Sequence, residues 1–217
     1  MARSHRHAER VAKFADIDLY PVTCEALSAG RDDETVLRGI IAGGARVVQL
    51  RDKLSDHATL LAKARLFREL TRDAGMLLII NDYVDIALEV DADGIHLGQD
   101  DEALAKARLA FPDGIIGISS HNMAEAHIAV AGGADYTNIG PVYATATKDV
   151  PCPPVGLELV REAHETLPIP LTVMGGIKLA HVPGLVAAGA RRIAVVTAIT
   201  QAPDIVAAVR EWRSALH

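Results

Sequence analysis

Arg51 and Lys53 alternate within the segment QLRDK (49–53), so on an extended backbone both side chains project to one side while Leu50 and Asp52 project to the other. With Lys148 they make a cationic trio, and the natural ligand of such a trio is a phosphate or diphosphate. Two acids, Asp82 and Asp101, each follow an apolar run. One or two carboxylates are what Mg²⁺ takes when waters and substrate phosphates fill its other positions. Asp100 competes with Asp101 for this role, and capping of the following helices is the other use for both acids. Gly175-Gly176 and Val196-Thr197 offer backbone N–H groups to a monophosphate, and Thr145 and Thr147 can turn two hydroxyls to one ligand. His96 and His121 read as hydrogen-bonding supports rather than as acid–base groups. There is no Ser-His-Asp order, HExxH or Walker loop.

Something must bring these scattered residues together. Short β-branched or Leu-rich runs stand at 17–22, 46–50, 76–80, 94–97, 115–118, 136–139, 171–174 and 192–196. Amphipathic, Ala-rich stretches separate them, at 35–42, 57–74, 84–90, 102–110, 123–131, 157–167, 179–188 and 205–215. Runs such as VVQL, LLII and IAVV hardly alternate, as strands covered on both faces do. A weak repeat (GGAR, DADG, GGAD, AGARR) precedes four of the runs and reads as a helix stop followed by a tight turn. Eight such units predict a single-domain α/β protein, a (β/α)₈ TIM barrel over 15–217, with 1–14 as a flexible N-terminal extension. An open doubly wound sheet is the alternative, and no GxGxxG follows the first run to favour it. In a barrel the C-terminal ends of the strands form the active face, and the residues singled out above lie near the ends of runs or in the stretches just after them.

Composition narrows the partners. The 217 residues are 50% hydrophobic and 23% charged, with a formal charge of -6, so the chain can bury a sizeable core and lacks the basic footprint of a nucleic-acid binder. Aromatic content of 4% leaves too few rings for a base-stacking surface. Cys24 and Cys152, with no CxxC, read as reduced thiols. The start MARSHRHAER has no apolar signal region, and the longest apolar run, 76–80, is far too short to span a membrane. These features place the chain in the cytoplasm; they set no oligomeric state, and a homo-oligomer is compatible with them.

Seven motifs in register resemble the thiamine-phosphate synthase family: QLRDK at 49–53, IND at 80–82, DGIHLGQDD at 93–101, GISSH at 117–121, GPVYATATK at 140–148, GGI at 175–177 and VVTAI at 195–199. The resemblance implies a (β/α)₈ enzyme that joins a hydroxymethylpyrimidine diphosphate to a thiazole phosphate and releases diphosphate. It implies that Gln49, Leu50, Arg51, Asp52, Lys53, Asn81, Ser119 and Lys148 hold the pyrimidine diphosphate, with Arg51, Lys53, Ser119 and Lys148 serving the reaction. It also implies one Mg²⁺ on Asp82 and Asp101, and the thiazole phosphate on Thr145, Ala146, Thr147, Gly176, Val196 and Thr197. Tyr83, Ala144 and Thr197 depart from the family pattern, which commonly has Arg, Pro and Ser there; Thr197 keeps the hydroxyl and the N–H. Rival readings are a thiazole tautomerase using His121, a Schiff-base aldolase using Lys53 or Lys148, and a barrel that senses thiamine phosphate.

Overall fold

The computed structural model describes residues 3–145 and 153–217. Eight parallel strands are present: β1 (Leu19–Pro21), β2 (Val47–Leu50), β3 (Leu77–Asn81), β4 (Gly94–Leu97), β5 (Ile115–Ser120), β6 (Tyr136–Ile139), β7 (Leu171–Val173) and β8 (Ile193–Val195). From β2 to β8 each strand pairs with its sequence neighbours, and β8 pairs with β1. The ring closes between β1 and β2 through a parallel bridge from Val22 to Gln49 and the Thr23 N–H donating to the Gln49 carbonyl at 2.9 Å. Every apolar run of the sequence is one of these strands.

The surrounding helices are α1 (His5–Ala15), α2 (Asp33–Ala42), α3 (His57–Asp73), α4 (Val84–Glu89), α5 (Leu104–Ala110), α6 (Met123–Ala131), α7 (Gly156–Thr166), α8 (Val182–Ala187), α9 (Thr197–Thr200) and α10 (Ile205–Ala215). Asp32, Asp56, Asn122 and Asp204 cap α2, α3, α6 and α10 through side-chain acceptors for N–H groups of the first turn. The stretch predicted as one helix at 179–188 is a 3₁₀ turn, Leu179–His181, followed by α8, with Pro183 at its start. Outward strand residues such as Val48, Leu78, Ile95 and Ile116 pack under Leu37, Phe67, Val160 and Val209 of the helices. Burying each such side chain is worth about 1.5–3 kcal/mol, so this annulus between strands and helices is the main store of stability.

Inside the barrel the strands contribute a second, smaller cluster: Tyr20, Val47, Leu77, Ile79, Ile115, Tyr136 and Ala194. Phe14 and Ile17 join it from below. Here the expectation for residues 1–14 needs correcting. Within the described part, residues 3–14 are not a frayed extension; α1 closes the N-terminal end of the barrel, its Phe14 ring stacked on Tyr136 at 4.2 Å between centroids. Arg10 donates to the carbonyls of Ala92 and Asp113 and pairs with Asp93, and Arg3 and His7 pair with Asp135. The physical reason is that a small number of buried residues on a highly charged helix suffices when the surface it meets already carries acids. Among the described residues no helix is long and apolar enough to cross a membrane.

Candidate active site

The ends of β2 to β5 carry the polar residues, and strand register sets their heights. Asn81 lies level with His96, His96 with Gly117, and Ser119 with Asn138. Gln49, Asn81, His96 and Ser119 are all buried. Because a strand alternates, Gln49 takes the inward position two beyond Val47, which belongs to the interior cluster. Ser119 bonds His96 Nε2 through its hydroxyl at 2.9 Å, and its carbonyl accepts from Gln99 Nε2 at 2.6 Å.

Asp82 and Asp101 are brought together at the ends of neighbouring strands, near enough that each carboxyl acts on the charge of the other. Asp82 sits at φ +65°, a left-handed conformation costly for a residue with a Cβ, as the chain turns from β3 toward α4. Its N–H donates to the His96 carbonyl at 2.9 Å, which fixes the turn on β4. Asp101 Oδ2 accepts from the Gly98 N–H at 2.5 Å. Lys53 Nζ lies 2.7 Å from Asp82 Oδ2. Burial and the neighbouring Asp101 hold Asp82 above the usual carboxylate range. Burial also pushes Asp101 upward, but hydrogen bonds from Asp82 and Gly98 and the charge of Lys53 outweigh it and hold Asp101 below that range. Asp100 is exposed, so the geometry selects Asp101 as the partner of Asp82.

The loop after β2 carries the basic residues into a cleft beside the mouth. Arg51 and Lys53 line a cleft of about 590 Å³ together with Cys24, Arg31 and Leu54. Arg51 lies on the β1 side, its Nη1 3.7 Å from Cys24 Sγ, and Lys53 on the β3 side. Leu50 is buried in the annulus, and Asp52 accepts from the Leu54 and Ser55 N–H groups, from Ser55 Oγ at 2.6 Å and from Lys63 at 2.7 Å. Leu50 thus keeps its side chain away from the cleft, whereas Asp52 also lines it, its carboxylate held by Ser55 and Lys63. Lys63 also pairs with Glu25 and Asp33, which ties the loops after β1 and β2 together.

Gly175 and Gly176 have φ +100° and +62°. A Cβ on Gly175 would fall 2.4 Å from Pro141 Cβ, and one on Gly176 would fall 2.3 Å from the Ala144 carbonyl oxygen, so glycine is what lets the loops after β6 and β7 touch. The Tyr143 N–H donates to the Gly175 carbonyl at 3.0 Å. Thr197 opens the short helix α9, with Val196 just before it; helix-start N–H groups have no partner within a helix. Thr145 is half-buried in the β6 loop. Ala146, Thr147 and Lys148 lie outside the described residues. His121 bonds Glu125 in the first turn of α6, a supporting role. Sequence reasoning missed Tyr20 and Tyr136, both fully buried and in hydrogen-bond contact under the mouth. Their period-two positions in β1 and β6, and a mid-strand Gly117 opposite Tyr136, are the signals that could have found them.

A ring of eight parallel strands with its acids, its bases and two left-handed glycines gathered at the strand C-terminal ends defines a (β/α)₈-barrel enzyme. A family model described as thiamine monophosphate synthase matches residues 19–199. The thiamine-phosphate synthase of Chloroflexus aurantiacus is 44% identical over 204 residues, covering 94% of each chain. That of Shouchella clausii is 42% identical over 200 residues, 92% of this chain and 96% of the relative. A solved thiamine phosphate pyrophosphorylase from Pyrococcus furiosus superposes with a TM-score of 0.87 at 32% identity, covering 94% of this chain and 97% of that one. A 3-hexulose-6-phosphate synthase, 20% identical with a TM-score of 0.68, bears on the fold alone. The chain therefore belongs to the thiamine monophosphate synthase family, and is a transferase of thiamine biosynthesis.

Proposed function

We propose that the chain condenses 4-amino-2-methyl-5-hydroxymethylpyrimidine diphosphate with a thiazole phosphate, giving thiamine phosphate and diphosphate. The observation that carries this reading is the cluster of Asp82, Asp101 and Lys53 at the barrel mouth, inside the stretch shared with the family. The C–O bond between the pyrimidine's methylene carbon and the diphosphate breaks with its electron pair going to diphosphate; the thiazole nitrogen then attacks the pyrimidinylmethyl cation. Arg51, Lys53 and Lys148 take up the charge that grows on the leaving group, and Gln49, Asn81 and Ser119 hold the pyrimidine end. Lys53 exchanges Asp82 for a phosphate oxygen as the diphosphate enters. Leu50 contributes main-chain groups, and Asp52 belongs to the same binding segment. Thr145, Ala146, Thr147, Gly176, Val196 and Thr197 hold the thiazole phosphate and aim the nitrogen.

The donor set fits Mg²⁺. Two carboxylates meet at the mouth, and among the described residues no cluster of three or more His, Cys, Asp or Glu side chains offers a metal a protein-only cage. Asp82 and Asp101 would hold the ion, which supplies positive charge to the leaving diphosphate. No side chain need serve as nucleophile or base. Nor does the reading need a nucleic acid or a membrane; it is set in the cytoplasm.

The test is to mix the two substrates with the protein and Mg²⁺ and follow diphosphate and thiamine phosphate together. Stoichiometric appearance of both supports the reading. Binding of thiamine phosphate without turnover would replace it with the sensing barrel, and borohydride trapping of Lys53 with substrate would replace it with the aldolase.

A further inference from the structure

Beneath the mouth, five buried side chains join end to end across the barrel. Gln49 Nε2 donates to the Tyr20 hydroxyl at 2.9 Å; the hydroxyls of Tyr20 and Tyr136 are 3.0 Å apart; Tyr136 is 2.9 Å from His96 Nδ1; and His96 Nε2 is 2.9 Å from Ser119 Oγ. The line therefore starts and ends on residues assigned above to the pyrimidine diphosphate, and passes through three that have no assigned role. Gly117 makes space for it, since a Cβ there would fall 1.9 Å from Tyr136 Cζ, and the Phe14 ring supports Tyr136 from below.

The direction of the hydrogens follows from what each atom can do. An amide nitrogen only donates, so the Tyr20 hydrogen cannot point at Gln49 and has the Tyr136 oxygen as its acceptor on this line. Tyr136 then directs its own hydrogen to His96 Nδ1, which must be the bare nitrogen, and the imidazole carries its hydrogen on Nε2. Nε2 donates to Ser119 Oγ. Burial pushes both phenols well above their ordinary range, so both keep the hydrogen the line requires. Reversing the line, with Ser119 donating to His96, would leave the Tyr20 hydrogen aimed at an amide nitrogen. Such a buried mismatch costs as much as a lost hydrogen bond.

We infer that Tyr20, Tyr136 and His96 are positioning residues forming a one-way relay that holds His96 as the Nε2–H tautomer and makes Ser119 present its own hydrogen to an acceptor atom of the bound ligand. The mouth thus shows a fixed donor where a free serine would be ambivalent, and it favours ligands with an acceptor atom there, a ring nitrogen or a phosphate oxygen. This rests on the reading of the mouth as the pyrimidine diphosphate site; the direction of the relay does not.

Nitrogen NMR of the full chain with ¹⁵N-labelled histidine, in mildly alkaline buffer, reads the tautomer directly, with His96→Gln identifying the signal. The expected result is a single Nε2–H pattern for His96; an Nδ1–H pattern, or an even mixture, overturns the relay. Kinetics supply the second readout. Tyr136→Phe should raise KM for the pyrimidine diphosphate about tenfold, with KM for the thiazole phosphate unchanged, and should add little to the defect of Ser119→Ala. Should Tyr136→Phe fold poorly, Tyr20→Phe reads the same link. Unchanged KM in a folded variant, or additive losses with Ser119→Ala, overturns it. An expected tautomer in a protein without turnover would defeat the proposed reaction and leave the relay standing.

Discussion

Lys53 Nζ lies 2.7 Å from Asp82 Oδ2, so one of the cations assigned to the diphosphate already neutralises one of the carboxyls assigned to the metal. The pairing follows from the β2 loop and the end of β3 being neighbours in the ring, with alternation turning Lys53 inward and Asp82 held in a left-handed turn. Lys53→Met should lower turnover about 10²–10³-fold, the loss expected from removing one preorganised charge contact with the leaving group. It should also move the Asp82 carboxyl further upward, since Lys53 is the group that pulls it down. Steady-state kinetics and carboxyl carbon NMR check the two effects; wild-type kcat would remove Lys53 from the chemistry.

Asp33 gives a pH signature away from the mouth. Burial pushes its carboxyl up to about 6, despite Lys63 at 3.1 Å, and its Oδ1 has no partner among the described residues. The folded chain thus holds this proton more tightly than the unfolded chain, whose value is near 4. Stability should fall as pH rises from about 4 to about 6 and level off above. After allowing for solvent screening, the wild type should lose about 1 kcal/mol relative to Asp33→Asn across that window. Urea denaturation of the pair at several pH values measures it, and parallel curves would contradict the assignment.

Phe14→Ala tests the closure at the N-terminal end. The ring is buried against Tyr136 and Tyr20, and its truncation should cost about 3–5 kcal/mol by chemical denaturation. A frayed segment would give a change within about 0.5 kcal/mol.

Gly176→Ala should damage the monophosphate side. The left-handed backbone and the Ala144 carbonyl at 2.3 Å leave no place for a Cβ. The expected outcome is a KM for the thiazole phosphate raised about tenfold or more, with KM for the pyrimidine diphosphate nearly unchanged. Equal effects on both would show that the two halves of the mouth are not separate.

The strands were legible because both of their faces are covered: VVQL and LLII must be apolar on the annulus side and at the barrel axis alike. The positions of Asp82, Asp101, Arg51 and Lys53 were legible because they follow those runs, where a barrel gathers its loops; Lys148 lies outside the described residues. Helix α1 was not, since HRHAERVAKFA shows its charges in sequence and hides that Arg10 and Phe14 are buried. Nor were the two tyrosines. Tyr20 and Tyr136 read as ordinary strand formers, and their meeting depends on β1 and β6 facing each other across the ring, a relation that local pattern does not encode. The shift from 35–42 to Asp33–Ala42 in α2 reflects the Asp32 cap, a side-chain hydrogen bond rather than a hydrophobic period.

The central claim is that the paired carboxyls at the mouth serve diphosphate departure, and titration of turnover against Mg²⁺ in the wild type, Asp82→Asn and Asp101→Asn tests it most directly. The account predicts a saturable Mg²⁺ requirement in the wild type, abolished by EDTA, and loss of that turnover in both variants with their circular dichroism and unfolding transitions retained. Full turnover in EDTA, or wild-type Mg²⁺ dependence in either folded variant, would contradict it.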